Sequence, residues 1–324
     1  MLAVDNYRSL RELRVPLTRL NVVTGANGTG KSNLYRALRL LTEASRNGAP
    51  AALAREGGLP STVWAGGGGG RQPVALRLGF GADDFGYTID LGLAPRCGSA
   101  FALDPEIKRE CIWAGPTLRP AAVLADRHND MVRVCGTDGT WAEGYDPIEP
   151  FDSMLSEYAD PLRAPETINE IGDAAALAAA VDDALPGTTI EIEVHSGRFE
   201  LNVHQSGLTR PLRGAELSEV TLRCLLWVAA LLSPRPPPLL VLNEPETSLH
   251  PQLLGALAAQ IVACSETTQV IVVSHSRALV DAIATAGIAA GIDVQMIELT
   301  KAHGETSVAG QQRLDLPPWH WPKR

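Results

Sequence analysis

The sequence predicts an α/β fold with a mixed, mainly parallel core sheet, an antiparallel β meander and a helical lobe. Three observations support this prediction. A glycine-rich loop at 25–32 separates a short apolar run at 20–23 from a helical pattern. Short β-rich runs occupy 74–134, and strand-like and helix-like segments alternate between 219 and 273. Such alternation is typical of a parallel sheet whose strands are joined by helices.

The composition is that of a globular protein with one large core or two lobes. Of the 324 residues, 45% are hydrophobic and 20% are charged. The longest apolar stretches, 225–232 and 239–242, are too short to cross a bilayer, and the N-terminus lacks the pattern of a signal peptide. We therefore expect a cytoplasmic protein with no membrane partner.

Charge and cysteine usage exclude several classes of protein. The net charge of −9 argues against a uniformly basic nucleic-acid surface, so DNA would need a local cluster such as Arg210, Arg213 and Arg223. The five cysteines form no C-x-x-C pair, which indicates reduced, mostly buried thiols. Five consecutive glycines at 66–70 predict a flexible linker, either natural or engineered.

The elements follow from the local patterns. Up to about residue 41 the pattern predicts strand, strand, phosphate loop and helix, with Leu34, Ala37, Leu38 and Leu41 on the packed face of that helix. An alanine-rich helix is predicted at 171–185, and a hairpin at 189–204 around a Ser-Gly turn. Next come helices at 219–232 and from Pro251, and buried strands at 239–242 and 270–273. The runs that predict the meander are 74–80, 87–91, 108–113, 123–126 and 131–134.

The glycine-rich loop has the complete G-x4-G-K-[ST] pattern of a phosphate-binding loop. Its glycines let backbone N–H groups point at phosphates, Lys31 brings positive charge to the β and γ oxygens, and Ser32 can ligate Mg²⁺. The positive end of the following helix strengthens the anion site. We therefore expect ATP and Mg²⁺ as cofactors. The residues expected to contact the nucleotide are Gly25, Asn27, Gly28, Thr29, Gly30, Lys31, Ser32 and Asn33.

Polar side chains follow two of the predicted buried strands. Asn243 and Glu244 come directly after 239–242, and His275 comes soon after 270–273. One strand-helix-strand unit returns the chain to the same sheet edge, where ligands of α/β sheets bind. There Glu244 can orient or deprotonate a water that attacks a γ-phosphate, and Asn243 lies beside the metal. The alternatives are a capping or salt-bridging Glu244 and a purely structural His275.

These motifs resemble, in the same order, those of the ABC-type ATPase heads of the SMC and RecF group. The resemblance is strongest to their small bacterial AAA-family relatives, of the AAA_21 kind. It covers most of the chain and implies a P-loop NTPase of the ABC-head type. The matching segments are Asn-Tyr-Arg-Ser at 6–9, the loop at 25–32, Leu-Ser-Glu-Val-Thr at 217–221, Asn-Glu-Pro-Glu-Thr-Ser-Leu-His-Pro at 243–251 and Ser-His-Ser at 274–276.

The resemblance implies an ATP-binding head that forms an ATP-dependent homodimer, with two ATP molecules between the subunits. It makes Glu244 the catalytic base and His275 the switch histidine at the γ-phosphate, with Lys31 in the catalytic set. Ser218 would meet the γ-phosphate held by the other subunit. Arg8 would contact nucleotide, and Thr247 and Ser248 would lie in the loop that crosses the dimer interface.

The resemblance also divides the chain into three parts of one composite domain. They are an ATP-binding lobe with the β subdomain at 1–150, a helical and hairpin lobe with the signature motif at 151–235, and the rest of the core sheet with a tail at 236–324. No long heptad pattern separates the two motif halves, so we expect a head without coiled-coil arms. Trp319 and Trp321 are expected to pack against the sheet.

Two departures from the group's pattern concern hydrolysis. Val220 stands where the signature motif usually has glycine. A β-branched residue resists a positive φ and puts methyl groups where backbone should approach phosphate, which argues against activation by the other subunit. Asn243 stands where the group usually has aspartate, which removes one negative charge from the magnesium shell. Slow turnover is the expected result.

Two functions therefore remain open. One is an ATPase whose cycle closes and opens a homodimer and couples it to a DNA or protein effector. The other is a weakly hydrolysing, ATP-gated clamp or regulatory binding module. A transporter cassette is disfavoured by the acidic motif at 243–250. A nuclease of the OLD type is disfavoured because only 49 residues follow His275.

Overall fold

The computed structural model describes residues 1–66, 75–93, 104–136, 138–143, 149, 152–154, 174–195, 198–233, 236–247, 249–312 and 315–324. The chain forms two compact units whose segments alternate along the sequence. The first contains Met1–Leu17, Gly25–Pro165 and Glu298–Arg324, and the second contains Thr18–Thr24 and Glu166–Ile297. The predicted division at 150 and 235 stays a prediction. Residues 67–70 of the predicted glycine linker lie outside the described residues.

The strands are numbered along the chain. They are β1 (Leu2–Tyr7), β2 (Leu10–Val15), β3 (Leu20–Thr24), β4 (Ala75–Gly81), β5 (Phe85–Leu93), β6 (Pro105–Ala114), β7 (Val123–His128), β8 (Met131–Cys135), β9 (Trp141–Glu143), β10 (Thr188–His195), β11 (Arg198–Gln205), β12 (Leu212–Arg213), β13 (Leu239–Asn243), β14 (Gln269–Val273), β15 (Val294–Ala302) and β16 (Glu305–Val308).

The helices are numbered in the same way. They are α1 (Lys31–Asn47), α2 (Ala49–Arg55), α3 (Leu59–Thr62), α4 (Ala174–Ala184), α5 (Glu219–Leu231), α6 (Leu254–Cys264) and α7 (Arg277–Ala290), with short 3-10 turns at Pro120–Ala122, Gly214–Glu216 and Pro251–Leu253. Across the described ranges, no helix is both long and apolar enough to cross a membrane.

The first unit is built on an antiparallel sheet in the order β2-β1-β4-β5-β6-β7-β8-β9. From β4 to β9 each strand pairs with the next one along the chain, so the predicted meander is confirmed. The strand β5 is buried at seven of its nine positions because it lies between β4 and β6. Among the cysteines of the described residues, Cys111, Cys224 and Cys264 are buried free thiols and Cys135 is half-buried.

A buried ion pair fastens a neighbouring segment to this sheet. Glu110 of β6 and Arg127 of β7 have fully buried side chains, and Arg127 Nη1 lies 3.1 Å from Glu110 Oε2. Arg127 Nη2 also donates to the carbonyl oxygen of Glu149 at 2.8 Å, and Nη1 donates to that of Asp152. The Ser153 hydroxyl donates to Glu110 Oε1 at 2.6 Å. The pair therefore holds the backbone at residues 149 and 152 and the side chain of Ser153.

The predicted packing of the two tryptophans is observed. Trp319 is buried, and its ring lies 5.7 Å from that of Trp113 and 5.5 Å from that of Trp321. A Cβ on Gly79 would come within 2.7 Å of the Trp319 ring, so glycine provides the space for it. Arg324 adds a charged contact, with its Nη2 at 2.7 Å from Asp90 Oδ1.

The second unit contains parallel strands in the order β13-β14-β3, with Asn243 opposite Val273 and Val273 opposite Val23. This confirms the predicted parallel core. Apolar side chains of β3, β13 and β14 and of helices α5, α6 and α7 form its core. The antiparallel hairpins β10–β11 and β15–β16 make the whole fold a mixed α/β fold.

Four details differ from the sequence-based expectations. Three strands, not two, precede the phosphate loop, because 1–15 folds as a hairpin before β3. The helix α1 begins at Lys31 rather than Asn33. Pro251 opens a 3-10 turn that becomes α6 only at Leu254. The strand β13 is not fully buried, since Leu239 is 36% exposed, because it is the outermost described strand of its sheet.

Candidate functional site

The phosphate loop lies in the first unit and directly follows β3. Gly30 is the N-cap of α1 with φ of 109°, and no side chain caps the helix, so its first N–H groups are left for another acceptor. Lys31 is buried, and its Nζ donates to the carbonyl oxygens of Gly25 at 2.5 Å and Ala26 at 3.1 Å. The Lys31 ammonium group is therefore held inside the phosphate loop, where it is predicted to contact phosphate.

Two glycines of this loop lie directly against the β15–β16 hairpin. Gly25 has φ of 141°, and a Cβ there would lie 2.4 Å from the carbonyl oxygen of Leu299. A Cβ added at Gly30 would lie 2.3 Å from Thr306 Oγ1. Both positions therefore require glycine for their positive φ and for the space.

Two residues that the sequence analysis did not single out lie behind the loop. The Thr306 hydroxyl is within donating distance of the Thr29 carbonyl oxygen at 2.7 Å and of Ser9 Oγ at 2.8 Å. Asn33 Nδ2, expected at the nucleotide, donates to Ser9 Oγ at 2.8 Å. Thr29 is also buried and donates to the Ala26 carbonyl oxygen.

The remaining loop residues differ in exposure. Asn27, Gly28 and Ser32 are exposed and therefore accessible to a ligand from solution. In α1 the predicted apolar face is confirmed for Leu34, Ala37 and Leu38, which are buried, whereas Leu41 is half-buried. The helix is thus packed along one side while its first turn stays open.

In the second unit, the structure brings Asn243, Glu244 and His275 to one edge of the parallel strands. The Glu244 N–H donates to the carbonyl oxygen of Val273 at 2.7 Å, which ties the end of β13 to the end of β14. His275 Nδ1 lies 3.8 Å from Glu244 Oε1, and both side chains are partly exposed. Glu244 has φ of 49°, a left-handed conformation that costs about 1–3 kcal/mol for a non-glycine residue. The strain lies at the predicted base.

Glu246 is the residue at this edge that sequence reasoning missed. It is 8% exposed, and its Oε1 accepts hydrogen bonds from Ser274 Oγ at 2.6 Å, His275 N at 3.1 Å and Ser276 N at 3.2 Å. The same oxygen lies 3.5 Å from His275 Nδ1. The second carboxylate in the Asn-Glu-Pro-Glu run was the only available signal. Glu246 therefore fixes the turn that carries His275.

Two buried acceptor atoms at this edge have no hydrogen-bond partner within the described ranges. They are Asn243 Oδ1 and Glu246 Oε2. Buried acceptors normally find a donor or a cation, so an edge with two such oxygens is suited to a bound metal-water shell or a protonated ligand group.

The signature segment forms the start of α5. Ser218 is its N-cap, with Oγ accepting from the Thr221 N–H at 3.1 Å, and Ser218 is exposed. Val220 lies in the first helical turn and is not among the non-glycine residues with positive φ. The expectation that Val220 opposes a required positive φ is therefore wrong, because a helical position needs a negative φ. The expectation that its methyl groups stand where backbone should approach a phosphate stays a prediction.

Arg8 and the proposed basic cluster are already paired with carboxylates. Arg8 Nη2 lies 2.5 Å from Glu56 Oε2, and the Arg8 side chain is 24% exposed. The Tyr7 hydroxyl also donates to Glu56, and burial raises the pKa of Tyr7. The three arginines of the candidate DNA cluster each contact a glutamate, in the pairs Arg210–Glu216, Arg213–Glu200 and Arg223–Glu219.

The predicted interface loop is described in part. The carbonyl oxygen of Thr247 accepts from Arg223 Nη1 at 3.2 Å, and Ser248 lies outside the described residues. The contact connects this loop with α5 of the signature segment. Its predicted place in a dimer interface stays a prediction.

A family model described as "AAA domain, putative AbiEii toxin, Type IV TA system" matches residues 20–95 and 147–281, well over half of the chain. No curated protein matches the chain.

Solved structures of SMC head domains are similar over nearly the whole chain. One is the SmcHead bound to the C-winged helix domain of ScpA, with 15% identity, a TM-score of 0.54 and 95% of each chain covered. Another is the Smc head domain bound to the C-terminal domain of ScpA, derived from Pyrococcus furiosus, with 12% identity, a TM-score of 0.54 and coverage of 95% and 94%. A Smc head domain derived from Pyrococcus yayanosii has 11% identity, a TM-score of 0.52 and 97% of each chain covered. The predicted fold class, an ABC-type P-loop head, is confirmed.

Proposed function

Because this chain belongs to the AAA-domain family whose model it matches, AAA_21, we propose that it binds ATP with Mg²⁺ and hydrolyses it to ADP and phosphate. The observation that carries the proposal is the phosphate loop with Lys31 inside it and an open helix start behind it. Backbone N–H groups at such a helix start, together with an ammonium group, form an anion site for a polyphosphate.

The second half of the proposed site lies in the second unit. There β3, β14 and β13 pair in parallel, and Asn243, Glu244 and His275 follow β13 and β14 at the carboxyl ends of these strands, where ligands of α/β sheets bind. The order of these motifs along the chain resembles that of the SMC and RecF heads. On that resemblance we propose that these residues act on the nucleotide that the phosphate loop binds.

Each residue has a distinct role in this proposal. Lys31 and the loop N–H groups bind the β and γ phosphates, and Ser32 and Asn243 hold Mg²⁺ directly or through water. Bound Mg²⁺ neutralises negative charge on the phosphate oxygens. Glu244 accepts a proton from the water that attacks the γ-phosphorus, while the bond to the β–γ bridging oxygen breaks. His275 donates a hydrogen bond to the γ-phosphate.

The cation and the nucleotide fit the residues that are present. The exposed Ser32 hydroxyl and the unpartnered Asn243 Oδ1, in the described part of the chain, are oxygen ligands of the type that Mg²⁺ prefers. Asn243 is neutral, however, so it holds a cation less strongly than aspartate would. Turnover is therefore slow in this proposal.

We extend the proposal to a homodimer that closes around ATP and transmits the change to a DNA or protein effector. The exposed Ser218 at the start of α5 supports this, since an exposed helix start with a polar N-cap suits a phosphate held by a second copy. The paired state of Arg210, Arg213 and Arg223 favours a protein effector over DNA.

The alternative is an ATP-gated clamp that hardly hydrolyses, and the observation that favours it is Asn243. Such a clamp can still change its assembly state without hydrolysis. If ATP binds the dimer more tightly than the monomer, the difference between the two affinities shifts the monomer–dimer equilibrium toward the dimer. Replacing Asn243 by aspartate raises turnover if the missing charge limits hydrolysis.

The test is ATP hydrolysis by the wild type and by Glu244→Gln, with Glu266→Gln as the matched control on an exposed surface of the second unit. We expect Glu244→Gln to bind ATP normally and to hydrolyse it on the order of 100-fold more slowly, because it lacks the general base. Glu266→Gln is expected to match the wild type. If the wild type hydrolyses ATP and Glu244→Gln does so at the same rate, the assigned base is rejected. A wild type that binds ATP but does not hydrolyse it supports the clamp.

A further inference from the structure

We propose that Thr306 and Ser9 are positioning residues of the phosphate loop, and that the Thr306 hydroxyl sets the direction in which the loop presents an N–H group to phosphate. The inference rests on the proposed nucleotide site and adds the residues that shape it. Thr306 belongs to β16 and Ser9 to the turn between β1 and β2. Neither is part of the phosphate-loop motif.

The hydroxyl groups of Thr306 and Ser9 are isolated from solvent. Thr306 is 0% exposed and Ser9 is 7% exposed. The Thr306 N–H donates to the Ser9 carbonyl oxygen at 2.8 Å, so backbone and side-chain bonds join the same two residues. Buried hydrogen bonds of this kind hold a geometry tightly, because breaking one leaves a polar group without water.

The Thr306 hydroxyl orients the peptide bond between Thr29 and Gly30. Thr306 Oγ1 lies 2.7 Å from the Thr29 carbonyl oxygen, which turns that oxygen toward the β15–β16 hairpin. In a trans peptide the C=O and the next N–H point in opposite directions, and the described chain has no cis peptide. The Gly30 N–H is therefore directed away from the hairpin, to the open side of the loop.

The β15–β16 hairpin contacts the phosphate loop at both of its ends. The close approaches of Gly25 to Leu299 and of Gly30 to Thr306 set the loop directly on the hairpin. Asn33 in the first turn of α1 reaches the same cluster through Ser9. The hairpin and the β1–β2 turn thus hold the loop in its binding conformation before the nucleotide arrives, which lowers the ordering cost of binding.

The variants separate hydroxyl chemistry from packing. Thr306→Val keeps the shape and removes the hydroxyl, whereas Thr306→Ser keeps the hydroxyl and removes a methyl group. Ser9→Ala removes the second hydroxyl. Thr300→Val is the matched control, because Thr300 lies on the same hairpin with an exposed hydroxyl near Ser307.

The experiment measures the Kd for ATP with Mg²⁺ and the KM and kcat of hydrolysis, at a temperature where circular dichroism shows every variant folded. We expect Thr306→Val and Ser9→Ala to weaken binding at least about tenfold, with KM rising more than kcat falls. We expect Thr306→Ser to stay within about threefold of the wild type, and Thr300→Val to match it. Wild-type affinity in folded Thr306→Val, or an equal loss in Thr306→Ser, overturns the inference.

A second measurement keeps this test separate from that of the proposed function. If the wild type binds no ATP at all, the proposed function fails. Hydrogen exchange of the amides of 26–31 then still reports on the loop: faster exchange in Thr306→Val than in Thr306→Ser supports the positioning role, and equal exchange overturns it.

Discussion

At the scale of single residues, Glu246 holds together the edge that carries the predicted base. One of its oxygens accepts three hydrogen bonds from the 274–276 turn, and the residue is nearly buried. Glu244, by contrast, is partly exposed. The two carboxylates of one short motif therefore have different roles: Glu244 is the base of the proposed mechanism, and Glu246 fixes the turn that carries His275.

Replacing Glu246 by alanine should damage both stability and hydrolysis. The Ser274 hydroxyl and two backbone N–H groups lose their shared acceptor, so we expect the free energy of unfolding to fall by about 2–3 kcal/mol. We expect kcat to fall about tenfold as His275 loses its position. Urea unfolding and steady-state hydrolysis check this against Glu266→Ala, and an unchanged kcat in folded Glu246→Ala contradicts the role.

Cys111 gives a prediction that depends on protonation. Burial, with the nearby Asp126 carboxylate, raises the pKa of the Cys111 thiol to about 12. At pH 8 the thiol is therefore protonated and weakly nucleophilic. We expect iodoacetamide to alkylate the half-buried Cys135 well before Cys111, with Cys111 reacting only after unfolding in urea. Mass spectrometry that finds Cys111 labelled first in the folded protein contradicts this.

The loop residues and the polar residues after β13 and β14 could be predicted from the sequence, because each follows a local strand pattern. Glu246, Ser9 and Thr306 could not, because their partners are brought to them by tertiary structure. Ser274 is 28 positions from Glu246, and Thr306 is 297 positions from Ser9. The conflict expected at Val220 was wrong for a local reason, because Val220 lies in the first turn of α5, a helix that the sequence itself predicts.

At the scale of elements, the buried pair Arg127–Glu110 joins β6 and β7 to residues 149, 152 and 153. Arg127 donates to the carbonyl oxygens of Glu149 and Asp152, and the Ser153 hydroxyl donates to Glu110. Breaking a buried pair leaves an uncompensated charge, whereas replacing both partners removes that cost. Compared with a neutral pair of similar size, the ion pair therefore contributes more to fixing the position of these residues than to the free energy of unfolding.

We expect Arg127→Met to lower the free energy of unfolding by about 3–5 kcal/mol, and the double variant Arg127→Met with Glu110→Gln to be less destabilised than Arg127→Met alone. Arg133→Met is the matched control, because Arg133 is 45% exposed and pairs with Asp126, and it should cost less than about 1 kcal/mol. Urea unfolding measures all three. A double variant less stable than Arg127→Met alone contradicts the account.

Most elements of the meander and the parallel strands were predictable, because apolar periodicity and turn residues mark them. The hairpin β15–β16 and the helix α7 were not predicted, although Ile297 and Leu299 are buried at alternate positions and Ser276 caps α7. The alternation of buried and exposed positions in β15 covers only 296–300, which is short for a strand signal. The missed hairpin is the one on which the phosphate loop rests.

At the scale of the whole molecule, the fold class could be predicted because five short motifs occur in a fixed order. The boundaries of the compact units could not, because the chain leaves the first unit at Leu17 and returns to it at Gly25. A seven-residue segment with one buried strand thus belongs to a different unit from its neighbours. Apolar periodicity in the sequence indicates that a strand is buried, but it does not indicate in which of two hydrophobic cores the strand is buried.

The proposed homodimer gives a prediction at this scale. With ATP and Mg²⁺, Glu244→Gln should retain unhydrolysed ATP and elute as a dimer, while the protein without nucleotide elutes as a monomer. Ser218→Arg should keep ATP binding but prevent the dimer, because a bulky side chain stands at the exposed start of α5. Size-exclusion light scattering measures both, with and without DNA. A monomer under all conditions contradicts the dimer but leaves nucleotide binding to its own test.

The most direct test of the central claim is a calorimetric titration of ATP with Mg²⁺ into the wild type and into Lys31→Ala. If the loop at 25–32 is the nucleotide site, the wild type binds one ATP per chain and Lys31→Ala, still folded by circular dichroism, loses at least about 100-fold in affinity. Equal binding by the two proteins, or no binding by the wild type with saturating Mg²⁺, would contradict the account.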